Sequence, residues 1–237
     1  KVLEFIAGNE SAIANPLAGI EKAKVQNYAD SVESIRERNR KIDAMAEFIR
    51  KHVPKLDAKY LDPNINTLDR QIGHSEVLLG ALISGLTNVV AFTVDELGHR
   101  YTGIPGIEGE KVNMHDVGHN KSIGGLSAET IRERARTHHM KVIDRIVKRL
   151  KSVPEGDGTM FDNTMLFYFP DGGETHHSHG WEYPFIILSG DNARVDLRRR
   201  YIRLPNYGQP GHSTLGNFYT TLLNAYGNPI EHYGALD

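Results

Sequence analysis

Apolar residues recur at helical spacing in separate stretches of the chain. The stretch Ile20–His52 carries them among many Lys, Glu and Arg residues, and Pro54 follows it, so we expect a long surface helix there. Ser127 is a good helix N-cap, and the charged stretch behind it, acidic at its start and basic near residue 151, predicts a second helix. Ser213 is expected to cap a last helix over Thr214–Tyr226.

Short apolar runs predict strands towards the carboxyl end. Met165–Phe169 and Phe185–Leu188 are apolar throughout, which favours core strands. Arg198–Leu204 alternates and predicts a strand at a sheet edge. An alternative is that its four arginines form an anion-binding site. Because alternation divides them between two faces and acidic residues are near, a solvated edge strand is favoured.

The stretch Val77–Val94 contains eighteen residues without a charge, which meets the lower length limit of a membrane-spanning helix. Gly, Thr, Ser and Asn residues interrupt it. We therefore interpret it as a buried helix that ends at Ser84-Gly85, a short turn, and a buried strand over Val89–Val94. No membrane span is expected.

The alternation of helices with short apolar strands indicates a single α/β domain over residues 1–237, with its sheet buried between helix layers. Sheets of this kind bind ligands at the carboxyl ends of their strands. The strand Val89–Val94 runs into Asp95, and Met165–Phe169 runs into Asp171. The sequence therefore predicts a ligand site at these strand ends.

Composition narrows the chemistry of that site. The chain has 28 Lys and Arg against 30 Asp and Glu, a net charge of −2, so no global field attracts nucleic acid or an anionic membrane, although a local patch is compatible with this balance. It contains no cysteine, which excludes disulfides, thiolate metal sites and cysteine nucleophiles. A metal must therefore be held by His, Asp, Glu or carbonyl oxygen.

Histidines concentrate in two stretches that we expect to be loops, Gly103–Gly125 and Pro170–Gly180, and just after one strand end. Eight of the twelve fall between His99 and His179. Imidazoles with carboxylates indicate a divalent metal, with zinc expected and calcium, magnesium or manganese as alternatives. A solvated histidine-rich loop is the other interpretation. The predicted ligands are Asp95, His99, His115, His119, Asp171, His176, His177 and His179.

Several motifs, in order, resemble a known family. Pro154–Thr164, the following strand and histidine loop, Pro184–Gly190 and Tyr226–Pro229 resemble the carboxyl half of an exported bacterial family, domain of unknown function fifteen fifty-two. Asn113–His119 resembles an earlier histidine loop of that family, so the likeness covers most of residues 20–237. The family is similar to the sulfatase and alkaline-phosphatase superfamily.

The resemblance implies an alkaline-phosphatase-like α/β fold, a mostly parallel sheet that lacks its amino-terminal part, in a periplasmic or otherwise exported protein. Asp95 with His99 would match the superfamily's mid-chain metal pair, and Asp171 its later aspartate. The nucleophile comes from the amino-terminal part in that superfamily, so no catalytic residue is assigned here, and a missing segment or a partner chain is expected. Gly172 stands where hydrolytic members have a histidine.

Two functions from different classes follow. The first is an exported metal-dependent hydrolase of small phosphate or sulfate esters, with His177 or His179 as a further ligand or general acid and Glu174 orienting a ligand. The second is a non-catalytic binding protein or complex subunit that keeps the scaffold with at most a structural metal. No nucleic-acid partner is expected for either.

Overall fold

The computed structural model describes residue 9 and residues 19–94, 99–170 and 184–234. The chain divides into two compact units. The first comprises residues up to 55 together with 76–91, and the second comprises residues 56–75 and those from 92 onward. Among the described residues, the predicted metal ligands His99, His115 and His119 lie in the second unit.

The first unit is helical. Helix α1 spans Gly19–Ala44 and helix α2 spans Ala46–His52, so the long surface helix expected over residues 20–52 is present in two pieces. The break lies at Met45, whose φ of −96° and ψ of 8° leave the helical region. Salt bridges such as Lys41 to Glu37 at 2.8 Å cover the solvent side of α1, and Ala29 and Val32 are its buried residues.

Helix α3 spans Thr67–Ile83 and ends just before Ser84-Gly85, as the sequence predicts. The strand expected over Val89–Val94 is wrong, because these residues form no strand in the structure. Val89 is 82% exposed, so the two-sided burial on which that prediction depended is missing. Within the described ranges, no helix combines the length and apolar character that a membrane crossing needs.

The second unit packs around one apolar cluster. Strands β1, Arg100–Tyr101, and β2, Val112–Asn113, pair antiparallel. Helix α4, Met114–Gly118, follows β2 directly, within the stretch expected to be a loop. The cluster joins buried residues of these elements with the start of α3 and of the next helix; it contains Leu68, Tyr101, Ile104, Ile107, Val112, Val117, Ala128 and Ile131.

Helix α5 spans Ala128–Lys151 and is capped by Ser127, whose hydroxyl accepts the backbone N–H of Thr130 at 3.2 Å. This helix confirms the sequence prediction at both ends. Its buried residues recur every three or four positions, the period that places them on one face against the core. They are Ala128, Ile131, Ala135, His139, Val142, Ile146 and Leu150.

The carboxyl-terminal part begins with a small hairpin of β3, Pro154–Glu155, and β4, Gly158–Thr159, followed by a 3-10 turn over Met160–Asn163. Strand β5, Met165–Tyr168, pairs antiparallel with β6, Ile186–Ser189, so both predicted strands are present. Helix α6, Leu215–Ala225, is capped by the side chain of Thr214, one residue after the predicted cap.

The predicted alkaline-phosphatase-like α/β fold is wrong. In the described part of the chain every sheet has two strands, and every pair is antiparallel and joins strands that are consecutive in sequence. The apolar runs were interpreted as strands buried on both faces, but all four residues of β5 are only partly buried. The edge strand expected over Arg198–Leu204 is also wrong, since these residues are exposed coil.

Candidate metal centre

Two of the predicted ligands, His115 and His119, lie on helix α4. Asn113 caps the start of this helix, and its side-chain Oδ1 accepts a hydrogen bond from the backbone N–H of His115 at 3.0 Å. One turn later the backbone N–H of His119 donates to the carbonyl of His115 at 3.1 Å. Because residues four apart lie on the same face of a helix, the two imidazoles come together. Their ring centroids are 4.8 Å apart, with the planes at 71°.

This short helix is fixed on one side by the core. Val117 is fully buried in the apolar cluster, and the partly buried Met114 packs against that cluster. His115 is half-buried, whereas His119 is exposed. The imidazole pair therefore lies at the surface on an anchored helix.

The end of α4 is fixed by an arginine from α5. Arg132 Nη1 donates to the carbonyl of Val117 at 2.7 Å, and both of its terminal nitrogens lie 3.2 Å from Oδ1 of Asn120. Asn120 has a φ of 60°, the left-handed conformation in which Asn commonly ends a helix. Arg132 thus satisfies a terminal helix carbonyl and holds the turn that carries His119.

The two rings make an edge-to-face contact, and their separation also matches the one that a shared zinc ion would impose. With Zn–N bonds of about 2.0–2.1 Å, two imidazoles on one tetrahedral zinc ion have their ring centres about 5 Å apart. The observed 4.8 Å between the rings of His115 and His119 is close to this value. The carboxylate between them in sequence, Asp116, forms a salt bridge with Lys121 at 3.1 Å.

His99 lies elsewhere in the second unit. Its Nε2 is 3.4 Å from the hydroxyl of Thr67 at the start of α3, and its ring meets Tyr101 edge-on at 5.4 Å. Thr67 is itself tied to Thr102, since each backbone N–H donates to the other's hydroxyl, at 3.0 and 3.1 Å. His99 is therefore an exposed histidine beside a fixed pair of threonines.

The remaining candidates, Asp95, Asp171, Glu174, His176, His177 and His179, lie outside the described residues and stay predictions. Among the residues that the structure does describe, no three or more His, Asp or Glu side chains are grouped as a metal site. Of the predicted ligands, the structure brings together His115 and His119.

A second histidine contact lies in the interior. His139 is 5% exposed, and its Nδ1 is 3.0 Å from the hydroxyl of Tyr168, the last residue of β5. The sequence places His138 and His139 in a helix and favours a structural role. The periodicity of the buried positions of α5 selects His139 as the inward residue, but no sequence signal points to Tyr168 as its partner.

The adjacent His138 is partly buried. Burial lowers the pKa of His138 below the ordinary histidine value, and the backbone carbonyl of Leu68 offsets part of this shift. The imidazole is thereby biased towards its neutral form.

Comparison of the chain with models of protein families, with curated proteins and with solved structures gives no match. The likeness to the exported bacterial family stays a prediction. The functional argument therefore depends on the site itself.

Proposed function

We propose that this chain is a metal-binding protein in which His115 and His119 chelate one divalent transition-metal ion. The observation that carries the proposal is the 4.8 Å separation of the two rings on adjacent turns of α4. A chelate on a fixed helix loses less freedom on binding than two histidines on separate loops, because the side chains are already together.

The donor atoms favour zinc over the hard cations. Imidazole nitrogen suits zinc and other late transition metals, whereas calcium and magnesium take oxygen ligands. The carboxylate of Asp116, which is the nearest acidic residue in sequence, is engaged by Lys121. Zinc is therefore the ion with which the proposal should be tested first, and calcium and magnesium are expected to bind weakly.

Two histidines leave coordination positions on a tetrahedral ion for other groups. Water, an ester oxygen or further side chains can occupy them, and the candidates from the sequence are Asp171, His176 and His179. A bound zinc ion lowers the pKa of its water to about 7 and polarises an ester oxygen, which is the chemistry of the predicted phosphate- or sulfate-ester hydrolase. If the histidine pair binds zinc but the protein hydrolyses no ester, the chain is the non-catalytic binding protein instead.

Zinc titration followed by isothermal calorimetry tests the chelate. We expect His115→Ala and His119→Ala each to weaken zinc binding at least tenfold, since even the groups that only orient metal ligands are worth about 10–100-fold in affinity. His232→Ala, at another exposed histidine, is the matched control and should bind zinc like the wild type. Unchanged zinc affinity in both single variants would show that the pair is not the site.

An ester screen separates the two classes of function. Zinc-loaded protein is mixed with small aryl phosphate and aryl sulfate esters, and release of the phenol is followed. Turnover that disappears in His115→Ala and His119→Ala supports the hydrolase. Zinc binding with no turnover of any ester supports the binding protein instead.

A further inference from the structure

The segment after β6 presents an uninterrupted exposed surface. Residues 198–211 are all exposed and form neither helix nor strand. The segment forms no edge strand, so the strict alternation of side chains between two faces that a strand imposes does not apply to it. We define residues 198–207 as the basic segment.

The positive charge of the basic segment is only partly compensated by neighbouring carboxylates. Arg198 donates to Asp191 and, through Nε at 3.1 Å, to Asp196. Within the described residues, no carboxylate lies at salt-bridge distance from Arg199, Arg200 or Arg203; these three arginines are all exposed. The positive charge of Arg200 still reaches Asp196, whose pKa it helps to lower. The segment therefore carries three arginines without a salt bridge among the described residues, on a molecule whose net charge is −2.

Large apolar side chains follow the run of arginines and flank Arg203. Tyr201 is 93% exposed, Ile202 58%, Leu204 51% and Tyr207 65%. Isolated exposed apolar residues are ordinary on a protein surface, but a contiguous group bordered by charge marks an interaction site. The basic segment has four exposed apolar side chains close together in sequence and next to arginines.

We propose that the basic segment is a peripheral docking surface for an anionic phospholipid membrane. Arginine guanidinium groups bind lipid phosphates, and each basic residue near an anionic membrane surface contributes about 1 kcal/mol of attraction. Tyrosine settles at the level of the headgroups, and Ile202 and Leu204 gain by entering the acyl boundary. The chain lies on the membrane at this surface.

The aliphatic residues favour a membrane over single-stranded nucleic acid. Nucleic acid would use the arginines for phosphate and the tyrosines for base stacking. It would give Ile202 and Leu204 no comparable partner, although both are more than half exposed. A bilayer accounts for all three kinds of side chain. The proposal is independent of the zinc site on α4.

Vesicle co-sedimentation tests the surface with the full chain. We expect binding to vesicles of phosphatidylcholine with phosphatidylglycerol to exceed binding to pure phosphatidylcholine vesicles by about a hundredfold, since each basic residue near an anionic surface contributes about fivefold. Raising the salt concentration should weaken binding steeply, because the attraction is screened.

Two variants separate charge from insertion. R199E/R200E/R203E should abolish the preference for anionic vesicles, while K22E/K55E/K111E, with the same charge change at exposed lysines elsewhere, should retain it. Ile202→Ser with Leu204→Ser should lower affinity for the anionic vesicles while keeping their salt dependence. All these residues are at the surface, and circular dichroism checks that each variant is folded.

The proposal is overturned by any of three results. These are equal binding to both vesicle types, equal loss in the arginine and lysine variants, and tighter binding of a single-stranded DNA oligonucleotide that depends on the arginines but not on Ile202 or Leu204.

Discussion

Histidines in this chain differ by what surrounds each ring. His139 is buried and hydrogen-bonded to the hydroxyl of Tyr168. His138, on the same helix, is partly buried and interacts with the backbone carbonyl of Leu68. His115 and His119 face each other at the surface. The same side chain is thus buried in the packed interior in one place and paired with a second imidazole at the surface in another, and only the surface pair is a candidate for metal binding.

The lowered pKa of His138 makes the stability of the fold depend on pH. Below the ordinary histidine pKa of about 6.5 the unfolded chain takes up a proton at this residue that the folded chain resists, so stability is lost as pH falls through that value. We expect the unfolding free energy from urea titration to fall less between about pH 7.5 and 5 in His138→Gln than in the wild type.

His232→Gln is the matched control for His138→Gln and should follow the wild-type curve. Parallel pH curves for His138→Gln and the wild type would contradict the assignment of the pH dependence to His138.

Helix α4 has five residues, Met114–Gly118, and is too short to be stable alone. Its stability has to come from contacts made by its ends and by one buried side chain. Asn113 satisfies the first turn, Val117 enters the core, and Arg132 satisfies the last turn. The geometry of the histidine pair therefore depends on residues that do not belong to it.

Arg132 is a positioning residue in this arrangement. Arg132→Ala should lower the unfolding free energy by about 1.5–3 kcal/mol, the range for hydrogen bonds made by charged groups, and should also weaken zinc binding severalfold. Arg136→Ala, one turn further along α5 at an exposed position, is the matched control and should change neither quantity appreciably. Urea unfolding and zinc calorimetry on the same preparations measure both.

Loss of stability in Arg132→Ala with full retention of zinc affinity would show that Arg132 supports the fold without positioning the histidines. Arg132→Lys separates charge from geometry, because lysine keeps the charge but not the two-pronged contact with Val117 and Asn120.

For the molecule as a whole, the sequence predicts the individual helices well. It predicts poorly how helices and strands pack and pair with one another. Ser127 and the period of the apolar positions predict α5 correctly, because capping and amphipathic spacing act within one helix. The apolar runs at Met165 and Phe185 predict two strands but not their antiparallel pairing. Val89–Val94 has strand-like composition without a strand, because burial requires a partner that composition does not specify.

The candidate site likewise has a part that the sequence predicts and a part that depends on packing. The four-residue spacing of His115 and His119 is visible in the sequence and is realised on a helix, although the Gly- and Asn-rich context predicts a loop. Arg132 resembles any surface arginine of an amphipathic helix, and only the packing of α5 against α4 gives it a role. No pattern in the sequence encodes that contact.

Zinc binding should raise the unfolding free energy of the unit that carries His115 and His119. Zinc at a free concentration of 100 times its dissociation constant should add about 2.7 kcal/mol to the folded state, which raises Tm by about 5–10 °C for a chain of this size. Differential scanning calorimetry with and without zinc measures the shift. Because both histidines lie in the second unit, a thermogram with two transitions should show the shift in one of them.

The double variant His115→Ala/His119→Ala should show no zinc-dependent shift, and magnesium should give none in the wild type. An equal shift with zinc in this variant would place the stabilising metal elsewhere in the chain.

The strand pairs have a consequence for how the chain folds. Each ladder in the described residues joins strands that follow one another along the sequence, as in the pairing of Pro154–Glu155 with Gly158–Thr159. Pairing between strands that are neighbours in sequence lowers contact order, which is associated with fast folding. In each pair, the partner of the first strand is thus the next described strand to be synthesised, so its pairing does not have to wait for a strand from the far end of the chain.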